Sequence, residues 1–180
     1  MSRVNAPQLI RNDHKTVKAL FLQFEAIENR LMEGGRLTSG SDRKVALADE
    51  IFLRLAVHMK IEEEIFYSAL EEHLDVNGKG LIEQCLDDYA SARAIMQDLT
   101  QMTIDSREFD DIFQILRKEI ESHIEFEEEK VLPLSESLMH ERLDDLGSQM
   151  ETRKAELMKD RDYIHEAAQN PDGGEQKRTA

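Results

Sequence analysis

The sequence has no tryptophan, a single cysteine, three prolines and eight glycines among its 180 residues. One cysteine, Cys85, excludes an internal disulfide, so the composition gives no sign of an oxidising compartment. With so few prolines and glycines, the chain has little material for turns, which favours long helices with few loops. No stretch reaches the roughly 18 apolar residues from which a membrane-spanning helix is predicted.

Basic residues are also scarce, because 23 Lys and Arg stand against 38 Asp and Glu and leave a formal net charge of −15. Nucleic-acid phosphates and anionic membrane surfaces are bound by basic protein faces, so this charge argues against both partners. The first residues, from Met1 to Pro7, lack the apolar run of a signal peptide. We therefore expect a cytoplasmic protein with neither nucleic acid nor membrane as a partner.

What the sequence does contain is apolar residues, 40 % of the total, that recur at helical spacing in four segments. The boundaries between these segments carry the pair Gly34-Gly35, the predicted turn Asn77-Gly78-Lys79-Gly80 and the capping-box spacing of Asp105 to Glu108. Pro133 marks the end of the fourth segment or a kink in it. Four amphipathic helices with short connections predict an all-α fold, an antiparallel up-down four-helix bundle over residues 1–138.

A fifth segment, at 139–168, carries a thinner apolar stripe among many charges. It predicts an additional C-terminal helix, which could cap the bundle, pack across one of its sides, or mediate association into a homo-oligomer. The last residues, 169–180, contain Pro171 and Gly173-Gly174 and are predicted to form a disordered tail.

Two buried stripes each contain a histidine followed by a glutamate four residues later. The first stripe consists of Leu47, Ile51, Leu55, His58, Glu62, Ile65 and Ala69. The second consists of Phe113, Leu116, Ile120, His123, Glu127 and Leu134. Since a carboxylate on a buried stripe is costly unless its charge is compensated, each His/Glu pair needs a partner. Two such pairs on two helices are what a polynuclear metal site requires.

The other two helices add one polar residue each at the same level of the bundle. Aligning the first helix with the third places His14 opposite Tyr89, so the polar set becomes His14, His58, Glu62, Tyr89, His123 and Glu127. Imidazole and carboxylate together suit iron, manganese or zinc. A metal-binding imidazole also needs an acceptor for its second nitrogen, and Asp13 and Asp88 are candidates for this role.

Asp13-His14, followed by His-x-x-x-Glu-Glu-Glu at 58–64 and 123–129 and by Val131-Leu132-Pro133, resembles the hemerythrin-like family of HHE cation-binding domains. The resemblance covers residues 8–138. It implies an antiparallel bundle around two non-haem irons joined by an oxo or hydroxo bridge, with manganese or zinc less expected. The family's ligands fall on His14, His58, Glu62, His123 and Glu127. Members bind or sense dioxygen, and some handle nitric oxide, peroxide or iron.

The third helix departs from this pattern, because Tyr89 stands where the family has a histidine and Arg93 follows one turn later. Tyr89 could bind as a phenolate, which makes it the sixth predicted ligand. Alternatively, Tyr89 only lines the pocket, and Arg93 supplies positive charge to Glu62 or Glu127 in place of an ion. Both interpretations are open at the level of sequence.

The resemblance implies a protein that binds or senses dioxygen, peroxide or nitric oxide, and loss of the histidine on the third helix favours sensing over carriage. A weak peroxide-decomposing activity would make it an enzyme, a point on which the sequence is silent. Two other functions are compatible with the chain: an iron donor for iron-sulfur cluster repair, and a metal-free helical interaction module. Cys85 is expected in the core, and His73, His140 and His165 outside the site.

Overall fold

The structure is a computed structural model that describes residues 4–32 and 40–160. It contains five helices: α1 at Ala6–Met32; α2 at Gly40–Ile61, continuing through Glu62–Tyr67 and Ser68–Glu71; α3 at Val76–Thr100; α4 at Arg107–Phe126, continuing through Glu127–Val131 and Leu132–Leu138; and α5 at Leu143–Leu157. The predicted all-α bundle with an additional C-terminal helix is confirmed. The Gly34-Gly35 loop, the last residues of the 139–168 segment and the predicted tail at 169–180 lie outside the described residues.

The up-down order of the helices decides what meets at each end of the bundle. His14 lies in the first half of α1, and Tyr89, His58 and His123 lie near the middle of α3, α2 and α4. Because successive helices run in opposite directions, these four positions come to one level. At the opposite end the core is aromatic, with the Phe24 and Phe113 rings stacked at a centroid distance of 3.9 Å.

The aromatic end also contains a buried lysine. The Lys44 side chain is 3 % exposed, and its ammonium donates hydrogen bonds to the Asp110 carboxylate and to the Ile104 carbonyl, the latter at 3.1 Å. It lies 5.4 and 5.8 Å from the ring centroids of Phe24 and Phe109. A desolvated ammonium over aromatic faces and beside a carboxylate ties α2 to α1 and α4.

The start of α4 lies where it was predicted, but Ser106 caps it, not Asp105. The Ser106 hydroxyl oxygen accepts a hydrogen bond from the Phe109 amide at 3.1 Å. Asp105 instead accepts a hydrogen bond from the Ser41 hydroxyl at 2.8 Å, which links this connection to the first turn of α2. The cap satisfies one of the amides that a helix N-terminus leaves without an intrahelical partner.

The predicted turn at Asn77-Gly78-Lys79-Gly80 is wrong, because these residues form the first turns of α3. Asp75 caps the helix by accepting a hydrogen bond from the Gly78 amide at 2.8 Å, so the chain reverses before residue 76. A Cβ at Gly78 would stand 2.8 Å from the Leu74 side chain. That glycine therefore serves close packing under Leu74, while its sequence neighbourhood suggested a turn.

Helices α2 and α4 each change from α to π geometry at a predicted ligand, Glu62 in one and Glu127 in the other. A π turn holds one extra residue, so it shifts which side chains face the core beyond it. In α2, Phe66 and Tyr67 are buried while Ile65 is only half-buried. Ile65, which the predicted first stripe places towards the core, packs against the core while half-buried, and the π turn adds Phe66 and Tyr67 to the buried face.

Helix α5 packs across one side of the bundle, against α1 and α2. Its residues Leu143, Leu146, Met150 and Leu157 are buried, and at Gly147 an added Cβ would overlap the backbone of residues 4–6. Lys154 pairs with Asp13, and Arg153 pairs with Glu64 at 2.8 Å. Of the three roles predicted for the fifth helix, the structure shows packing across one side of the bundle. Along the described part of the chain, no helix is long and apolar enough to cross a membrane.

Candidate metal centre

All six residues predicted to bind metal are buried at one level of the bundle, and none is more than 4 % exposed. They are His14, His58, Glu62, Tyr89, His123 and Glu127. Two carboxyl groups and three imidazoles thus share a space from which water is largely removed. Groups of this kind carry a large desolvation cost unless their charges and lone pairs find partners.

Four of the six come closest together. One ligand atom from each of His14, His58, Glu62 and Glu127 lies within 4.8 Å of the other three. His14 Nε2 is 3.2 Å from Glu127 Oε2, and His58 Nδ1 is 3.2 Å from Glu62 Oε1. This group of four could hold a metal ion.

The atoms that face one another in this group have no aligned hydrogen bond in the described structure. They are His14 Nε2, His58 Nδ1, Glu62 Oε1 and Glu127 Oε2, and the Nε2 atom of His123 shares this property. An unsatisfied buried polar atom costs about 1–3 kcal/mol, so five of them together demand an explanation. Nitrogen and oxygen donors converging on one point fit a transition-metal ion of the iron, manganese or zinc type.

The remaining nitrogens of the histidines are oriented by carboxylates at the edge of the site. His14 Nδ1 lies 2.8 Å from Glu128 Oε1, and His123 Nδ1 lies 3.3 Å from Asp88 Oδ2. The carboxylate of Asp13 is 3.9 Å from His58 Nδ1, an electrostatic contact without a hydrogen bond. Asp88 stands beside the outer nitrogen of His123, the role predicted for it, whereas Asp13 lies near His58 Nδ1, the nitrogen that also faces Glu62. The sequence pattern did not assign Glu128 to His14.

Tyr89 reaches the site with its hydroxyl on the carboxylate of Glu62, to which it donates a hydrogen bond at Oε2. Its assignment as a ligand stays a prediction. A second tyrosine, Tyr67, donates a hydrogen bond from its hydroxyl to the other glutamate, at Glu127 Oε1 and a distance of 2.7 Å. The two hydroxyl oxygens are 3.3 Å apart. Tyr67 was missed because the π turn beyond Glu62 brings it inward; its only signal was a polar group in an apolar stretch.

The model of the Hemerythrin HHE cation binding domain matches residues 5–135 of the chain. The chain belongs to this family. Domains of the HHE family bind metal cations, which agrees with the His/Glu group that the bundle encloses. No curated protein and no solved structure matches the chain. The matched residues of this HHE domain contain all six predicted site residues and end before α5 begins.

The two glutamates of the HHE domain differ in how readily they ionise. Burial, together with the negative charge of Glu127, raises the pKa of Glu62 well above its usual range. Burial opposes ionisation of Glu127 too, but the close contact with His14 and the charges of His14, His123 and His58 lower the pKa of Glu127. Like charges this close do not both ionise easily, and a cation between them would remove that conflict.

Burial also raises the pKa of both Tyr67 and Tyr89 well above that of a free phenol, and the nearby carboxylates raise it further. Both hydroxyls are therefore neutral donors in the HHE domain as it stands. Arg93 pairs with Glu63 at 2.6 Å, and its guanidinium lies 5.9 Å from the Tyr89 ring centroid. The arrangement in which Arg93 supplies charge to Glu62 or Glu127 is therefore not the one that the structure has.

A small cavity of about 10 Å³ adjoins the site, with room for about one water-sized molecule. Four of the site residues, His14, His58, Tyr89 and His123, contribute to its lining. The rest of the lining is apolar and is formed by Val17, Leu55, Ile120 and Ile124. The HHE domain therefore has space for a small ligand beside the imidazoles, against a wall that offers no hydrogen bond.

Cys85 lies buried in the core, as expected, and burial raises the pKa of its thiol.

Proposed function

We propose that this protein is a hemerythrin-type non-haem iron protein that binds dioxygen, nitric oxide or peroxide at a buried centre. His14, His58, Glu62, His123 and Glu127 would hold two irons joined by an oxo or hydroxo bridge. The observation that carries the proposal is a group of four unsatisfied buried donor atoms, from His14, His58, Glu62 and Glu127 on three helices, that lie within 4.8 Å of one another. Family membership supports it, because the HHE domain is a cation-binding domain.

Each group of side chains has its own part in this proposal. The two carboxylates would neutralise cationic charge, and the three imidazoles would complete the coordination. Glu128 and Asp88 hold the rings of His14 and His123 in orientation, so that each presents its Nε2 atom inward. Iron would supply redox change and an open coordination position for the small ligand. The apolar wall beside the imidazoles would exclude competing water.

Metal analysis combined with absorption spectroscopy tests the proposal. Protein from iron-replete expression should contain iron, and its spectrum should change on exposure of the reduced form to air, peroxide or nitric oxide. His14→Ala should lose iron, whereas His140→Ala should retain it, because His140 is largely exposed and lies outside the site. Less than about one iron per chain in the wild type would overturn the proposal, since such sites bind metal together with folding.

The same measurements separate binding from chemistry. Steady decomposition of peroxide by the iron-loaded protein, lost in His14→Ala, would make it an enzyme; a single stoichiometric spectral change would make it a binding or sensing protein. A cytoplasmic location belongs to the same proposal and is tested by cell fractionation. Association through α5 would be seen as a dimer in solution scattering.

A further inference from the structure

The two oxygens of each buried glutamate face different neighbours. Glu62 Oε1 faces His58, while its Oε2 accepts a hydrogen bond from Tyr89. Glu127 Oε2 faces His14, while its Oε1 accepts a hydrogen bond from Tyr67. A carboxylate bridges two ions most readily with one oxygen on each, and a hydrogen bond from a phenol competes with an ion for the oxygen that accepts it. In this chain one oxygen of each glutamate is available, and a phenol occupies the other.

The two phenols form one buried unit. Tyr67 is 2 % and Tyr89 is 1 % exposed, their rings are stacked with centroids 6.1 Å apart, and their hydroxyl oxygens are 3.3 Å apart. The Tyr89 ring also lies against the His123 ring at 4.6 Å. The hydroxyls therefore stand on the side of the carboxylates away from His14 and His58, next to the remaining histidine.

The donors left for a second ion are few. Beyond the group of four, the buried histidine nitrogen without a partner in the described chain is His123 Nε2. A single imidazole is a poor site for an ion, and the family's histidine on the third helix is replaced by Tyr89. A second ion would need the oxygens of Glu62 and Glu127 that the phenols now occupy.

We infer that the centre binds two ions unequally, and that the Tyr67–Tyr89 pair is the reason. The first ion binds to His14, His58, Glu62 and Glu127. The second, on the His123 side, binds only when the two hydroxyls release the outer oxygens of Glu62 and Glu127. The inference rests on the proposed metal centre and assigns Tyr67 a role that the sequence pattern does not reveal.

The unequal binding of the two ions is tested by stepwise anaerobic titration of the metal-free full chain with Fe²⁺, in which calorimetry measures the heat of each binding step. Wild-type protein should bind one ion tightly and a second about tenfold or more weakly, since the second must displace charge-assisted hydrogen bonds. Tyr67→Phe keeps the ring and removes the hydroxyl from Glu127, so it should tighten the second step by about tenfold. Phe66→Leu alters a neighbouring buried ring without touching either carboxylate and should leave both steps unchanged.

A measurement on the wild type covers the case in which Tyr67→Phe does not fold. After oxidation of protein loaded with one equivalent of iron, an isolated ferric ion gives a paramagnetic resonance signal, whereas a coupled ferric pair gives none. The inference expects that signal to be greatest at one equivalent and to fall as the second is added.

The outcomes separate the inference from the function it rests on. Two ions taken up in one cooperative step, with no isolated ferric signal at one equivalent, would overturn the inference and leave the iron centre standing. An unchanged second step in folded Tyr67→Phe would overturn the role of Tyr67. No iron binding at all would overturn both.

Discussion

Both ends of the bundle bury charged side chains, but the cation comes from different sources. At the aromatic end the carboxylates of Asp110 and Glu28 face the ammonium of Lys44, at hydrogen-bond distance and at 4.0 Å respectively. At the other end, the ion-pair partners of Glu62 and Glu127 are imidazoles, which have lone pairs to give. An ammonium has no lone pair and already supplies positive charge to the first cluster, whereas the imidazoles of the second can donate lone pairs to a metal ion.

The comparison also shows what a surplus of buried negative charge does. Lys44 serves two carboxylates, and burial with the neighbouring Asp110 raises the pKa of Glu28 to about 7. A proton on Glu28 therefore reduces the excess of buried negative charge beside Lys44. At the site, burial and the charge of Glu127 likewise raise the pKa of Glu62. There, however, a metal ion bound by the nearby imidazoles could replace the proton as the compensating positive charge. The type of neighbour therefore decides between a titrating cluster and a metal centre.

Removing the built-in cation should have the largest effect. Lys44→Met leaves the Asp110 and Glu28 carboxylates without their buried partner, so the free energy of unfolding should fall by about 3–5 kcal/mol. Urea denaturation measures this. Lys60→Met, which breaks a pair with Glu64 on the surface of α2, is the matched control and should cost less than about 1 kcal/mol. Equal losses in the two variants would contradict the distinction between the ends.

Adding the missing cation should have the next largest effect. Iron at about a hundredfold excess over its dissociation constant should raise the free energy of unfolding by about 3 kcal/mol, because it binds only the folded chain. A chelator should reverse the gain, as measured by thermal melting. Glu62→Gln should abolish the gain, whereas Lys44→Met should show the same gain from a lower starting point. A chelator-insensitive melting temperature would contradict the comparison.

Helix α5 packs against α1 and α2 and forms ion pairs with Asp13 and Glu64, near the metal site, so loosening it should disturb that site more than the Lys44 cluster. Gly147→Ala should cost about 1–3 kcal/mol of unfolding free energy, because the added methyl meets the backbone of residues 4–6. Gly80→Ala has open space around it and should instead gain up to about 1 kcal/mol, since it removes a helix-interior glycine. Faster hydrogen exchange near Asp13 but not near Lys44 would localise the effect of Gly147→Ala.

The smallest effect concerns the proton at the lysine end. The pKa of Glu28 is about 7 in the folded chain against an ordinary value of 4.5, so the folded state binds the proton more tightly. Its contribution to stability is present at low pH and is lost as pH rises between about 4.5 and 7. Glu28→Gln should flatten this pH dependence and stabilise the protein at pH 8 by about 1 kcal/mol, given the cluster's partial contact with solvent. Urea denaturation at pH 5 and pH 8 measures the change in unfolding free energy in the wild type and in Glu28→Gln. A wild type that gains more stability than Glu28→Gln between pH 5 and pH 8 would contradict the prediction.

Helical spacing was enough to predict the bundle and to place six polar residues on its inner faces. The prediction succeeded because the spacing of apolar residues reports burial directly, and His58 with His123 share that spacing. It also named Asp88 among the candidate acceptors for a ring nitrogen, and in the structure Asp88 lies beside His123. The same reasoning could not pair Glu128 with His14, because Glu128 lies off the apolar stripe and its contact with His14 joins α4 to α1.

The misses have physical causes of their own. Asn77 to Gly80 has the composition of a turn, but Asp75 caps the helix and Leu74 packs over Gly78, two tertiary details that composition does not contain. Lys44 was not predicted as a core residue, since lysine is rarely buried without a partner, and its partner Asp110 lies far along the chain.

The π turns at Glu62 and Glu127 have a consequence for anyone who compares this chain with its relatives. One residue corresponds to about 100° around an α-helix, so an extra residue rotates everything beyond it by that angle. In a relative without the π turn, an ungapped alignment would pair Tyr67 with a residue on a different face. The residue in its spatial place would be found one position earlier, opposite Phe66. Beyond each of these two glutamates, residues that share a column of an ungapped alignment with such a relative therefore lie on different faces of the helix.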